Sequence, residues 1–230
     1  MLLSKATCIP EPYPHCIVEN ALDDGLYKAL LESRPKDELI SLGSLESNVR
    51  HDIPARDIPS VGVWWKFIRY HTSRAFWQDV MRVFGEHIRE RYPQHLDPTV
   101  GIRKTGPYDI AAECQVSVNT PCTSRSRVVG PHLDNTRSLY AGMLYMGDEG
   151  GGDFEIRRYT KMPVFYGKSR IEDDCTEIVT TVPYRHNTFV MFINCPEAVH
   201  SVSERDSKEY RRFVNVAGET QKPLFGVKDE

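Results

Sequence analysis

Gly130-Pro131-His132-Leu133-Asp134 lies near the middle of a 230-residue chain, and a further histidine, His200, follows it at long range. A His-x-Asp pair with one distant His supplies two imidazoles and one carboxylate. That ligand set grips one face of a non-haem Fe(II) and leaves positions open for oxygen and an organic co-substrate. Zn(II) accepts the same donors, so the residue types alone leave the metal open. In an extended chain the side chains at i and i+2 point the same way, so His132 and Asp134 can reach one ion if this stretch is a strand. The texture of the surrounding sequence therefore bears on fold and chemistry together.

That texture is β. After Pro98, Val, Thr, Tyr, Phe and Ile gather in short runs separated by Gly, Pro and Asn, which predicts strands at 113–120, 127–133, 138–146, 153–157, 177–182, 188–194, 199–203 and 210–217. Eight short strands suit a two-sheet jelly roll. His132 and Asp134 fall at the end of the second run and His200 opens the seventh, and a jelly roll brings distant strands side by side. The connection 157–174 is basic first and acidic afterwards, and its length makes it a candidate lid.

The first third reads as helical. Leu22, Leu26, Leu30 and Leu31 recur at helical spacing around Asp23, a capping residue, and Pro35 ends the run. Residues 39–59 are polar and proline-punctuated, and are expected to form a long loop. Val61, Trp64, Trp65 and Ile68 predict a second helix. Phe76, Trp77, Val80, Met81, Phe84 and Ile88 predict a third, from Ser73 to before Pro93. Their aromatic faces are expected to pack on a sheet. The expected class is α+β, mainly β: one domain with 1–98 as helical support, 99–220 as the β core and 221–230 as a tail.

Charge excludes little but sets expectations. Lys+Arg of 29 against Asp+Glu of 32 gives a net charge of −3, so nothing in the balance calls for nucleic acid or an anionic membrane surface. Met1-Leu2-Leu3-Ser4-Lys5 lacks a basic region followed by a long apolar run, and no segment approaches membrane-spanning length. A cytoplasmic protein is expected. The six cysteines include no Cys-x-x-Cys and are expected to be reduced thiols.

A cation follows the last histidine. Arg211 and Arg212 stand eleven and twelve residues beyond His200. The planar fork of arginine binds a carboxylate at two points, as a 2-oxo diacid co-substrate requires. Strand alternation lets only one of them face the interior: Arg212 with Val214 and Val216, or Arg211 with Phe213 and Asn215. The smaller neighbours favour Arg212. Gln115, Ser117 and Asn119 alternate on the preceding strand and are candidates to hydrogen-bond substrate or co-substrate. Tyr140 and Tyr145 have opposite parity, so at most one faces inward. Arg125, Arg127 and Arg137 lie close in sequence to the candidate ligands, where solvated charge is the simpler reading.

The set Gly130–Asp134, Leu139–Met146, Gly150-Gly151-Gly152-Asp153-Phe154-Glu155-Ile156, Asn187–Phe192, His200-Ser201-Val202 and Arg211-Arg212-Phe213 resembles the Fe(II)/2-oxoglutarate-dependent oxygenases, most strongly the branch related to prolyl 4-hydroxylases. The resemblance spans roughly residues 113–219, in the family's own order. It implies a double-stranded β-helix with Fe(II) on His132, Asp134 and His200, and 2-oxoglutarate anchored by Arg212 or Arg211; Gln115 and Tyr140, from the strand alternation above, are further candidate co-substrate contacts. It also implies O2 as oxidant, ascorbate as a candidate reductant, and hydroxylation of a small-molecule or amino-acid-like substrate with release of succinate and CO2. Asp134 argues for oxygen transfer, because related halogenases replace that carboxylate with halide. The chain departs from the family pattern in its extra spacing before the arginine and in lacking a Ser two residues beyond it, which leaves the anchor open. The reading from another class is a non-enzymatic, cupin-like module that binds a metal or ligand.

Overall fold

A computed structural model describes residues 1–148, 150–161 and 170–226. The helices form where the apolar spacing places them. Helix α1 (Asp24–Glu32) starts at Asp23, whose Oδ1 accepts the Leu26 N–H at 2.9 Å, and it ends at Ser33, before Pro35. A single turn, α2 (Asp37–Ile40), follows. Helices α3 (Gly62–His71) and α4 (Arg74–Arg91) bury Trp64, Phe67, Ile68, Phe76, Trp77, Val80, Phe84 and Ile88. The Trp64 indole N–H donates to Leu30 O at 3.1 Å and ties α3 to α1.

Strands β1 (His15–Val18), β2 (Arg50–Ile53), β3 (Val100–Ile102), β4 (Ile110–Asn119), β5 (Ser138–Tyr145), β8 (Phe189–Ile193) and β10 (Arg211–Thr220) form the larger sheet. Its order is β1-β8-β5-β10-β4-β2, antiparallel throughout, with β3 added in parallel to the start of β4. The smaller sheet is β7 (Thr176–Val182), β6 (Phe154–Tyr159) and β9 (His200–Val202), in that order. This is a jelly roll with helices on one face.

Alternation gives the larger sheet two apolar faces, each packed into a core of its own. Outward, Cys114, Val116 and Val118 of β4, Tyr140 and Leu144 of β5, Phe189, Met191 and Ile193 of β8, and Val214 and Val216 of β10 pack under the aromatic helices. Each fully buried large apolar side chain stabilises the fold by roughly 1.5–3 kcal/mol, so Phe84→Ala at the centre of this layer costs about 3–5 kcal/mol. Inward, Tyr145, Val190, Phe192 and Phe213 meet Phe154, Ile156 and Val182 of the smaller sheet. The candidate site lies in this second core.

Two expectations change. The run 127–133 is not a continuous strand. It follows the free edge of β9 through separate bridges, Ser126 with Arg205 and His132 with His200, and the Val202 N–H reaches Val129 O at 3.3 Å. Pro131 has no N–H to contribute to a ladder there. The loop 39–59 contains β2, which pairs with β4, and β1 pairs with β8, so the first 98 residues supply strands as well as helices. The proposed lid segment lies partly outside the described residues, at 162–169. The six cysteines are free.

Candidate metal centre and cavity

His132 and His200 are backbone partners across the gap between the loop and β9. Each N–H donates to the other's carbonyl, at 3.0 and 3.1 Å, so both side chains leave the same face and the rings lie 4.2 Å apart, centre to centre. Asp134 returns to that face two residues on. Its Oδ1 lies 3.7 Å from His132 Nε2 and 3.7 Å from His200 Nε2. One ligand atom from each of the three lies within 4.8 Å of the other two.

The imidazoles are held alike. His132 Nδ1 meets Gly130 O at 2.9 Å and His200 Nδ1 meets Ala198 O at 2.9 Å. A carbonyl can only accept, so each Nδ1 carries the proton and each Nε2 presents a bare lone pair. Burial, and then the neighbouring His132, lower the His200 pKa to about 4, although Asp134 acts the other way. Phe154 stacks on the His200 ring at 5.2 Å and Phe192 lies 4.6 Å from it. Two imidazole Nε2 atoms, turned inward by the carbonyls on their Nδ1 atoms, and a carboxylate therefore converge, an arrangement that a cation relieves. The donor set and its orientation fit a divalent metal.

The same three residues open on a cavity of about 110 Å³, lined by Ala141, Met143, Phe154, Val190, Phe192, Val202 and Phe213, with Arg50, Asn119, Arg211 and Asn215 as its polar groups. Arg211 is 1% exposed. Its Nε donates to Gly152 O at 3.0 Å, and longer contacts of 3.4 Å run to Asn119 Oδ1 and Tyr145 Oη. The guanidinium carbon lies 5.2, 5.4 and 4.9 Å from the ring centres of Tyr145, Tyr184 and Phe213. The glycine turn makes room for it: a Cβ on Gly150 would stand 2.5 Å from Arg211 Cα, and Gly152 has φ +84°. Among the described residues no carboxylate pairs with Arg211. A buried cation with only neutral partners is costly, and an anionic ligand in the cavity offsets that cost.

The structure corrects two sequence expectations. Arg212 faces the other side of β10, where its Nε donates to Asp37 Oδ2 at 2.8 Å, and Asp37 also pairs with Arg34. Arg211 travels inward with Phe213 and Asn215, because the helix layer claims Val214 and Val216. Packing on the outer face, rather than room on the inner one, sets the parity. Tyr140 likewise points to the helices, 6.2 Å from Phe76 and 6.4 Å from Trp77, and Tyr145 is the inward tyrosine.

Gln115 lies on the inner face but reaches the cavity indirectly, its Oε1 accepting from Arg50 and Asn215. Ser117 is engaged by Asp52, and Asn119 lines the cavity. Arg125 and Arg127 pair with Glu204 and Asp173, and the Arg137 Nε donates to Thr220 O, so none of the three enters the cavity lining. Arg50 also lines the cavity, and the sequence around it carries little signal of that. Its only signal was the alternation Arg50-x-Asp52 just before Pro54, in a stretch too short and polar to read as a strand.

No protein-family model matches the sequence, and no curated protein is similar to it. Solved structures are similar in fold. A prolyl-4-hydroxylase from Pseudomonas putida aligns with 90% of this chain and 93% of its own at TM-score 0.50 and 14% identity. The non-haem α-ketoglutarate-dependent epimerase SnoN from nogalamycin biosynthesis aligns with 90% of this chain and 76% of its own, at TM-score 0.55 and 13% identity. This is the fold of the α-ketoglutarate-dependent enzymes. The carbocyclase SnoK from the same biosynthesis aligns over 94% of this chain and 90% of its own at TM-score 0.54, with 12% identity.

Proposed function

We propose that this protein is a non-haem Fe(II)- and 2-oxoglutarate-dependent dioxygenase that hydroxylates a small-molecule or amino-acid-like substrate. The observation that carries the reading is one cavity with two complementary demands. At one place three acceptors, His132 Nε2, His200 Nε2 and the Asp134 carboxylate, converge for a cation. At another the buried Arg211 has no carboxylate partner among the described residues. A co-substrate that chelates the metal through a 2-oxo acid and ends in a carboxylate meets both. Zinc accommodates the donor set but leaves Arg211 without a use.

In this reading His132, His200 and Asp134 hold Fe(II), and the carbonyls of Gly130 and Ala198 keep both imidazoles in the metal-binding tautomer. Arg211 takes the far carboxylate of 2-oxoglutarate, with Tyr145 and Asn119 beside it. Phe154, Val190, Phe192 and Val202 limit water in the cavity. The bound iron supplies the site at which 2-oxoglutarate, O2 and a substrate C–H become succinate, CO2 and an alcohol. Incubating the protein with Fe(II), 2-oxoglutarate and air tests this. Succinate should form, and His132→Ala should stop it. Equal succinate from wild type and variant would defeat the proposal.

A further inference from the structure

The cavity is lined by a second cation besides Arg211, namely Arg50. Arg50 of β2 pairs laterally with Asn119 of β4, and Asn119 pairs in turn with Arg211 of β10, so the three stand in one cross-strand row and all line the cavity. Neighbouring strands are about 4.8 Å apart, which puts the Arg50 backbone roughly 10 Å from that of Arg211. Arg211 is at the buried end of the row, whereas the Arg50 side chain is 36% exposed.

Arg50 is pre-positioned rather than loose. Its Nε donates to both oxygens of Asp52, at 2.9 and 3.1 Å, and Ser117 Oγ donates to the same carboxylate. Its Nη2 donates to Gln115 Oε1 at 3.1 Å, which also accepts from Asn215 at 3.1 Å. The guanidinium lies 5.3 Å from the centre of the Phe213 ring, which Arg211 approaches at 4.9 Å. Among the described residues Nη1 donates to no protein group. Between the two arginines, Asn119 is 1% exposed and its Nδ2 has no hydrogen-bond partner among the described residues. A buried amide donor left unpaired is costly, so this orphan calls for an acceptor from a ligand.

We propose that Arg50, with Asn119 Nδ2 beside it, holds a carboxylate of the primary substrate, and that the substrate class is therefore small carboxylic acids. This rests on the oxygenase reading above and names the substrate side of the same site. Once 2-oxoglutarate occupies Arg211, the donors left in the row are those of Arg50 and Asn119. An arginine edge and an amide N–H together match the several lone pairs of a carboxylate and not those of its neutral amide. Asp52 is the positioning residue, fixing the plane of the Arg50 fork.

The test uses the full chain with Fe(II) and 2-oxoglutarate. The probes are the L-amino acids and straight-chain monocarboxylic acids, each with its own primary amide as control. In air, at least one acid should raise succinate release above the probe-free level and its amide should not. Arg50→Gln should then lower kcat/KM for that acid by about ten- to a hundredfold, mainly through KM, and Arg50→Lys should recover part of the loss. Under anaerobic conditions Arg50→Gln should keep the wild-type absorption change on adding Fe(II) and 2-oxoglutarate, which separates substrate binding from the metal and co-substrate site. No stimulation by any acid, an amide as effective as its acid, or a wild-type KM in Arg50→Gln would each overturn the assignment. Absence of the absorption change in wild type would instead strike at the oxygenase reading itself.

Discussion

Arg211→Met separates the demands of the ligand from those of the fold. Without co-substrate, Arg211 is a buried cation held by Gly152 O and two contacts of 3.4 Å. A flexible apolar side chain of similar length is expected to fill its place with little loss of stability, or a gain, because the cost of desolvating the charge disappears. In the proposed complex with co-substrate, the same change would remove a two-point, largely desolvated contact. Removing one partner of such a contact costs about 3–5 kcal/mol, or roughly two to three and a half decades in affinity. The stabilisation that 2-oxoglutarate confers at a hundred times its dissociation constant, about 2.7 kcal/mol, should vanish at that concentration in the variant. Anaerobic titration of the Fe(II)-loaded protein, followed by absorption and by the unfolding midpoint, reads both quantities. Arg212→Gln is the control. It breaks the pair with Asp37 on the opposite face, so it should lose at most about 1 kcal/mol of stability and bind 2-oxoglutarate as wild type does. An Arg211→Met protein with wild-type affinity, or an Arg212→Gln protein without it, would refute the placement of the anchor.

Other outcomes follow from groups with no proposed contact to metal or co-substrate. The Tyr140 hydroxyl is buried against the helices without a partner among the described residues, so Tyr140→Phe should raise stability in urea by about 1 kcal/mol and leave co-substrate affinity unchanged. His71 is fully buried, with Nδ1 on Phe67 O and Nε2 unpaired among the described residues, and burial lowers its pKa to about 3. The folded form therefore resists a proton that the unfolded chain accepts below about pH 6.5, so stability is lost as pH falls from there towards the folded value. Between pH 6.5 and 5 that loss is about 2 kcal/mol, and it should be absent from the difference profile of His71→Phe. At Gly142 an added Cβ would stand 2.8 Å from Val190 O and 3.0 Å from Met191 Cβ, so Gly142→Ala should cost about 1–3 kcal/mol by thermal unfolding.

The features that could be read from the sequence were those with strong local signals. Asp23 followed by leucines at helical spacing specifies α1 through a cap and a stripe that need nothing else. The aromatic runs of α3 and α4 announced a broad sheet face to cover. His132 and Asp134 could be paired because i and i+2 share a face in any extended chain, even though Pro131 keeps the segment from forming a full ladder. Parity on β10 was a different problem. Both arginine registers alternate equally well, and the decision rests on which face needs Val214 and Val216, a fact about the helix layer that sits far away in sequence. Tyr140 and Tyr145 posed the same problem and resolve by the same layer. Strand β2 was hidden because Arg50, His51 and Asp52 carry no apolar pattern. It forms by pairing its backbone with β4, and the polar side chains it adds are those that furnish the second cation of the cavity.

The central claim, that His132, Asp134 and His200 bind iron beside a 2-oxo acid site, is tested most directly by anaerobic addition of Fe(II) and then 2-oxoglutarate to the metal-free protein while recording the visible spectrum. Wild type should develop a weak charge-transfer band that needs both additions and saturates at one equivalent of metal, and His200→Ala should show none. A wild-type protein that binds Fe(II) and 2-oxoglutarate without the band, or a His200→Ala protein that retains it, would contradict the account.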